Sequence, residues 1–194
     1  MSSEAAFRSP LSIPLFDKGY NDSILTSRGQ LNHIMAYVRD NPRRLLIKQQ
    51  QQPYFTIHRN LNIAGISFDT VGNLDLLRKP KMAVHCRRRW SETELAEYTE
   101  QCIKASGQGA VLVGAFISKA ERDIALQANK RKRPLIHLME NGFPELYKPI
   151  GRTFYTCAEG KLLQLAPWSY HNESRAISRN QCMELNRIAE LIAT

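Results

Sequence analysis

The feature that most constrains the fold of this chain is a repeated order of strand, loop and helix that begins at Lys81 and continues to its last residues. Short apolar runs predict buried strands at 82–86, 110–114, 134–139 and 161–165. Helical periodicity predicts helices at 92–106, 119–130, 151–158 and 179–192. Because apolar strands that alternate with helices are typical of a covered parallel sheet, the sequence predicts an α/β, Rossmann-like, doubly wound fold with a mainly parallel sheet.

The first part of the chain has a different pattern. Residues 1–53 are predicted to form an arm followed by a helical extension, with an amphipathic helix at about 28–40. This helix is expected to end at Asn41-Pro42, where a second helix begins, because Asn favours the cap position and Pro the first helical position. Weak alternation at 54–72 predicts two strands, or a strand and an extended turn, so that the Rossmann-like domain spans 54–194.

Ligands of such sheets bind outside the carboxyl ends of the strands. At the end of the first predicted strand, Arg87, Arg88 and Arg89 precede a helix start, where Ser91 and Glu94 have the spacing of a capping box. A helix N-terminus offers free N–H groups and a partial positive charge. The sequence therefore predicts that the three arginines and this helix end hold an anion, most simply a phosphate.

The neighbouring loops at the same edge complete the predicted site. After the second strand, Gly114 leads into a helix that begins at Ser118 and Lys119, so a second helix N-terminus is expected to face the same cleft. The third strand is followed by the turn dipeptide Asn141-Gly142, where backbone can come close to a ligand. No Gly-rich dinucleotide fingerprint and no phosphate loop ending in Lys-Ser or Lys-Thr is found.

Two other segments are basic. Arg43 and Arg44 are predicted to extend the basic surface. The run Lys130–Arg133 lies between a helix and a strand at the amino edge of the sheet, opposite the cleft, and is predicted to be a solvated loop. A solvated surface run also stays open as an interpretation of Arg87–Arg89, and Ser91 and Ser118 have a cap role that needs no ligand.

The sequence gives little reason to expect catalysis, a metal or a cofactor. Glu140 is the one carboxylate at a predicted strand end, which makes a weak case for acid–base chemistry. His85 and His137 lie in apolar strands and are expected to be core histidines. Four cysteines without paired spacing argue against a zinc site or a disulfide framework and suit a reducing cytoplasm: Cys86, Cys102, Cys157 and Cys182.

The net charge of +9 and the pI near 9.6 favour a polyanion as partner, although solubilising charge is the alternative. No apolar run approaches the roughly 20 residues that span a bilayer, so no membrane association is expected. The N-terminus lacks the sustained apolar core of a signal peptide.

The motifs between Gly72 and Trp168 follow the order of a known family. They are Gly72–Leu77, Ala83–Arg88, Val113–Glu121, Gly142–Lys148 and Leu162–Pro167. This order resembles the Rossmann-like domain of the DNA-processing protein DprA (Smf) family, with Arg88 on the family arginine and Cys86 and Arg87 in place of its Gly and Ser. The resemblance implies single-stranded DNA binding along a basic groove, without catalysis, and often as a homodimer.

The N-terminal part resembles a second family. Gly19–Leu25 and Tyr37–Pro42 look like the C-terminal end of REP-associated tyrosine transposases, with Tyr37 at the position that the resemblance assigns to the family nucleophile. The paired metal-binding histidines of that family have no counterpart, so a structural role is expected for Tyr37.

Three functions follow as hypotheses. The favoured one is a non-enzymatic nucleic-acid-binding protein, with single-stranded DNA as partner and phosphates held by Arg87–Arg89 and the two helix starts. The second is a nucleotide or phosphosugar binding protein, with or without hydrolase activity, related to lysine-decarboxylase-like Rossmann proteins. The third is an interaction module without a ligand.

Overall fold

The structure is a computed structural model that describes residues 27–173 and 176–194. The chain divides into two compact units, Met1–Pro42 and Arg43–Thr194, and each is described by itself. The sequence places the domain boundary after residue 53 instead, and that placement stays a prediction. The predicted arm at 1–20 lies outside the described residues.

Helix α1 runs from Gln30 to Gln50 and contains Pro42. The prediction that Asn41-Pro42 ends one helix and starts another is therefore wrong. Proline removes one N–H donor and crowds the carbonyl four residues earlier, which costs a helix roughly 3 kcal/mol. Of the following residues, Arg43–Gln50, all but Ile47 are strong helix formers, so the helix continues past the interruption.

A short helix and a hairpin follow. Helix α2 covers Gln52–Phe55, strand β1 covers His58–Ile63 and strand β2 covers Ile66–Gly72. The two strands pair antiparallel around Ala64 and Gly65, which both have positive φ, of 52° and 80°. Positive φ at both central residues is the geometry of a tight hairpin turn. Of the two alternatives predicted for 54–72, the structure shows the two strands.

The remaining elements alternate strand and helix in the predicted order. They are a 3₁₀ helix at Leu74–Arg78, β3 at Lys81–Ala83, α3 at Glu92–Gly107, β4 at Val111–Gly114, α4 at Lys119–Lys130, β5 at Leu135–Leu138, α5 at Gly151–Ala158, β6 at Leu162–Ala166 and α6 at Arg179–Ala193.

The described residues form a six-stranded sheet in the order β1-β2-β6-β5-β4-β3. Strands β3 to β6 are parallel to one another, and the β1–β2 hairpin joins β6 antiparallel. The predicted α/β, Rossmann-like fold with a mainly parallel sheet is confirmed.

The four parallel strands follow one another in chain order, without a reversal. Right-handed crossovers then place α3, α4 and α5 on the same face of the sheet. Leu112 of β4 packs on that face with Cys102, Ile124 and Phe154 from these helices. The flanking Val111 and Val113 point the other way and pack with α6, so alternate residues of one buried strand serve the two core layers.

Strand β3 is shorter than the predicted 82–86. Val84 still donates its N–H to Val113 O at 2.7 Å, but the next two donors leave the ladder. The N–H of His85 bonds to the Tyr98 hydroxyl at 3.4 Å, and that of Cys86 bonds to Glu121 Oε1 at 2.9 Å. Side chains therefore satisfy the backbone here, and residues 85–90 form a loop instead of a strand.

Candidate functional site

The loop 84–91, called here the arginine loop, is anchored at several points. The Tyr98 hydroxyl, which accepts the N–H of His85, itself donates to Ala83 O at 3.2 Å. The Trp90 ring packs on the Tyr98 ring with centroids 4.8 Å apart. Together with the bond between Cys86 and Glu121, these contacts fix the backbone at both ends of the three arginines.

Glu121 links the arginine loop to the start of α4. Its carboxylate is buried, with 6% of the residue exposed. Oε1 accepts the N–H of Cys86, while Oε2 accepts those of Ile117 and Ser118, each at 3.1 Å. The capping box predicted at Ser118 is therefore confirmed. The same carboxylate also brings a negative charge to the helix N-terminus at which the sequence predicts a phosphate.

The side chains of Arg87, Arg88 and Arg89 are all exposed. Among the residues that the structure describes, Arg88 and Arg89 form no ion pair. Arg87 lies near Glu94: the pKa of Glu94 is lowered, mainly by hydrogen bonds from Ser91 and to a lesser degree by the charge of Arg87. The arginine loop thus presents three adjacent guanidinium groups to solvent.

Two carboxylates also lie at the N-terminus of α3. Glu94 Oε2 accepts hydrogen bonds from the N–H of Ser91 at 2.7 Å and from its hydroxyl at 2.8 Å, and the Ser91 hydroxyl accepts the N–H of Glu94. Glu92 adds a second acid to the first turn. Acids in the first turn offset the helix dipole, so this end attracts a phosphate less than a bare helix end would.

Gly114 and Lys119 lie on the two sides of the turn before α4. Gly114 is buried, and a Cβ there would come within 2.8 Å of Val84 O. The glycine is therefore required because the chain just after β3 comes close to the end of β4. Lys119 is exposed at the first residue of α4 and adds a cation next to Ser118.

Asn141 and Gly142 contact a segment of the chain itself. The Asn141 side chain donates to His171 O at 2.9 Å and accepts the N–H of His171 at 3.1 Å. Gly142 is buried, and a Cβ there would lie 2.2 Å from the backbone N of Tyr170. The backbone approach that the glycine allows is thus an approach to residues 168–170. A ligand role for this turn stays a prediction.

Arg43 and Arg44 differ in their surroundings. Arg43 is exposed, whereas the Arg44 guanidinium carbon lies 4.3 Å from the centre of the Phe154 ring on α5. The strand order places α4 between α5 and α3. The structure therefore does not bring Arg44 together with the arginine loop.

Burial shifts the pKa values of Cys86 and His137, whereas His85 is half-exposed. Burial, followed by the charge of Glu121, raises the pKa of Cys86 to about 11, so the neighbouring arginines do not activate this thiol. Burial lowers the pKa of His137, and its Nε2 lies 3.2 Å from Ala115 O, which confirms the expected core role. His85 is instead half-exposed, with Nδ1 3.5 Å from Glu190 Oε1 on α6.

A cavity of about 360 Å³ lies between α4 and α5. Its lining includes Phe116, Leu135, His137 and Leu162 from the sheet side and Arg122 from α4. The mostly apolar lining does not favour a phosphate.

Among the described residues, no group of three His, Cys, Asp or Glu side chains is placed to bind a metal ion. Within the same residues, every helix is too short or too polar to cross a bilayer.

Sequence reasoning missed the double role of Glu121. The Ser118–Glu121 spacing predicts a cap, and the cap is present. Its contact with Cys86 joins positions 35 residues apart, and no local pattern reports such a contact.

Comparison with known proteins places the fold. No protein-family model and no curated protein matches the chain. The solved structures that it resembles are DNA-processing proteins. DprA from Streptococcus pneumoniae is 18% identical with a TM-score of 0.50, over 82% of this chain and 58% of that one. DNA processing protein A from Helicobacter pylori, solved to describe its single-stranded DNA binding mode, is 18% identical with a TM-score of 0.48, over 73% of this chain and 67% of that one.

The likeness to the pneumococcal protein shows a DprA-like Rossmann fold. The chain spans little more than half of that protein's length, 58%. The transposase resemblance of the N-terminal part is not supported by any of these matches, and its Gly19–Leu25 motif lies outside the described residues.

Proposed function

We propose that this chain is a non-enzymatic nucleic-acid-binding protein that holds the phosphates of single-stranded DNA with Arg87, Arg88 and Arg89. The observation that supports it is the arginine loop itself, in which three adjacent exposed arginines stand on an anchored backbone. An anchored loop loses less conformational entropy on binding, and guanidinium groups match phosphate oxygens bidentately.

The N-termini of α3 and α4 contribute less to phosphate binding than the sequence predicts. Glu94 and Glu121 bring carboxylates to the starts of α3 and α4. We therefore assign the phosphate contacts to the arginine side chains, with Lys119 as a neighbouring cation.

The choice of single-stranded DNA rests on the DprA resemblance of Gly72–Trp168 and on the shared fold. The four free cysteines suit a reducing compartment such as the cytoplasm.

The buried carboxylate of Glu121 also weighs against the nucleotide or phosphosugar hypothesis. A nucleotide phosphate in a Rossmann-like site is held by backbone N–H groups at a helix start. Here the N–H groups of Ile117 and Ser118 already bond to Glu121. A thermal-shift panel of nucleotides at modest salt tests this alternative, because a specific small ligand would stabilise the fold by mass action.

The direct test is the variant R87Q/R88Q/R89Q. Its affinity for a fluorescent oligothymidine is measured by anisotropy over a series of KCl concentrations. Loss of three phosphate contacts should lower the slope of log K against log salt by about 2, since each contact to a single strand contributes about 0.7. The control K148Q/R152Q/R179Q removes three exposed cations elsewhere and should keep most of the slope.

An unchanged affinity and slope in R87Q/R88Q/R89Q would refute the proposal. Competition with RNA and with duplex DNA of the same sequence tests the choice of partner. A preference for either competitor would contradict the assignment to single-stranded DNA.

A further inference from the structure

A second basic surface lies at the opposite, amino edge of the sheet. It consists of the connections that lead into the four parallel strands, at 75–81, 104–110, 130–134 and 159–161. These segments contain nine basic residues and two acidic ones, Asp75 and Glu159. The net charge of these segments is therefore +7, which is most of the net charge of +9 of the whole chain. We call this surface the basic strip.

The connections of the basic strip are neighbours in space. The N–H of Val111 donates to Pro80 O at 2.8 Å, which joins the starts of β3 and β4. A Cβ on Gly107 would lie 4.0 Å from Arg133 Nη2, which joins the connections before β4 and β5. Both Lys132 and Lys161 pair with Glu159, at 3.4 and 3.2 Å, which joins those before β5 and β6. With strands about 4.8 Å apart, the strip is about 15 Å long.

Stability of the fold accounts for only part of this charge. Lys104 and Lys130 lie in the last turns of α3 and α4, where a cation favours the helix dipole. Lys132 and Lys161 share the single carboxylate of Glu159, and Lys81 donates to Leu77 O and Lys79 O. The helix dipole explains none of the cations in the connections and strand starts, which are Lys79, Lys81, Lys132, Arg133 and Lys161. Cations closer together than the Debye length of about 10 Å repel one another and destabilise the folded state.

We infer that the basic strip is a second nucleic-acid surface, separate from the arginine loop, that binds the phosphate backbone without reading sequence. Its cations lie in the helix ends, connections and strand starts along one edge of the sheet. Phosphate contacts by lysine and arginine of this kind are driven by counterion release.

Nucleic acid fits the basic strip better than an anionic membrane does. Surfaces that bind membranes combine cations with exposed apolar side chains that enter the lipid. None of the large hydrophobic residues exposed in the described part of the chain belongs to the basic strip. The surface therefore has the charge for a polyanion without the apolar anchors for a bilayer.

The test is the variant K79Q/K104Q/K130Q. These three lysines are exposed, and none forms an ion pair within the described residues. The salt slope of single-stranded DNA binding should fall by about 2, as for the loss of three phosphate contacts. DNA should also protect Lys79, Lys104 and Lys130 of the unmodified protein from acetylation. Urea unfolding checks that the variant is folded, and K148Q/R152Q/R179Q is again the matched control.

The two surfaces can be tested apart. If K79Q/K104Q/K130Q keeps the wild-type affinity and slope, the inference about the basic strip is wrong, whatever R87Q/R88Q/R89Q does. If R87Q/R88Q/R89Q keeps the wild-type affinity and slope and K79Q/K104Q/K130Q does not, the arginine loop is excluded as a DNA-binding surface and the inference about the basic strip is supported. Binding to vesicles of equal parts phosphatidylserine and phosphatidylcholine that needs these lysines, with DNA binding that does not, would also overturn the inference.

Discussion

The carboxylate of Glu121 accepts the backbone N–H of Cys86 at 2.9 Å and thereby ties the arginine loop to the start of α4. Cys86 lies in the connection between β3 and α3, whereas Glu121 lies in the first turn of α4. One buried carboxylate thus completes a helix cap and positions a loop that carries three exposed cations.

Replacing Glu121 should destabilise the fold strongly. In Glu121→Ala, three backbone donors lose their acceptor, and each unsatisfied buried group costs about 1–3 kcal/mol, so a loss of about 3 kcal/mol or more is expected in urea unfolding. Glu121→Gln keeps one acceptor oxygen and should lose less. The control Glu97→Ala, at an exposed site of α3, should stay within about 0.5 kcal/mol. Equal losses in Glu121→Ala and Glu97→Ala would contradict the role of the buried carboxylate.

Gly142→Ala should also destabilise the protein. The added methyl would lie 2.2 Å from Tyr170 N, so the backbone of residues 168–170 has to move, at a cost of about 3 kcal/mol. The matched control is Gly107→Ala at the end of α3, where the nearest atom is 4.0 Å away. That variant should be neutral or slightly more stable. Similar unfolding midpoints for the two variants would show that the turn is not packed as described.

The protein should lose stability at high pH because the thiols of Cys102 and Cys157 are buried. Burial raises the pKa of Cys102 from 9.0 to about 11 and that of Cys157 to about 12. Above pH 9 the unfolded chain releases these protons while the folded chain keeps them, so stability is full below pH 9 and falls as the pH rises toward 11. One pH unit above 9, each thiol should cost about 1 kcal/mol.

The measurement for the thiols is urea unfolding at pH 8 and at pH 10. The double variant C102A/C157A should have a lower stability at both pH values because of the cavities left by the thiols. Its stability should nevertheless change less between them. A wild-type pH dependence in the double variant would assign the effect to other groups, such as Tyr98, whose pKa is also raised by burial.

Comparing Arg44→Ala with Arg43→Ala should separate the effect of packing on stability from the effect of charge. Arg44 stacks on Phe154, and such a cation–π contact contributes about 0.5–2 kcal/mol, so Arg44→Ala should lower the free energy of unfolding by about that amount. Arg43→Ala removes the same charge from an exposed position and should stay within about 0.5 kcal/mol. If both variants unfold at the same urea concentration, the ring contact contributes nothing.

Much of the fold could be predicted because its signals are local. Apolar runs such as Val111–Val113 and caps such as Ser91–Glu94 act within a few residues, and both are present as predicted. The failures arise where distant groups compete. Strand β3 ends early because Tyr98 and Glu121 take its donors, and the helix passes Pro42 because a single lost hydrogen bond does not outweigh the helix formers after it.

The candidate site divides in the same way. The sequence alone determined that three arginines follow a strand and precede a capped helix, because both facts depend only on neighbouring residues. The tertiary structure decided that a carboxylate already occupies the second helix start, that Gly142 faces Trp168–Tyr170, and that nine basic residues collect at the amino edge. Those outcomes depend on which connections lie side by side, and strand order sets this through contacts between residues far apart in the chain.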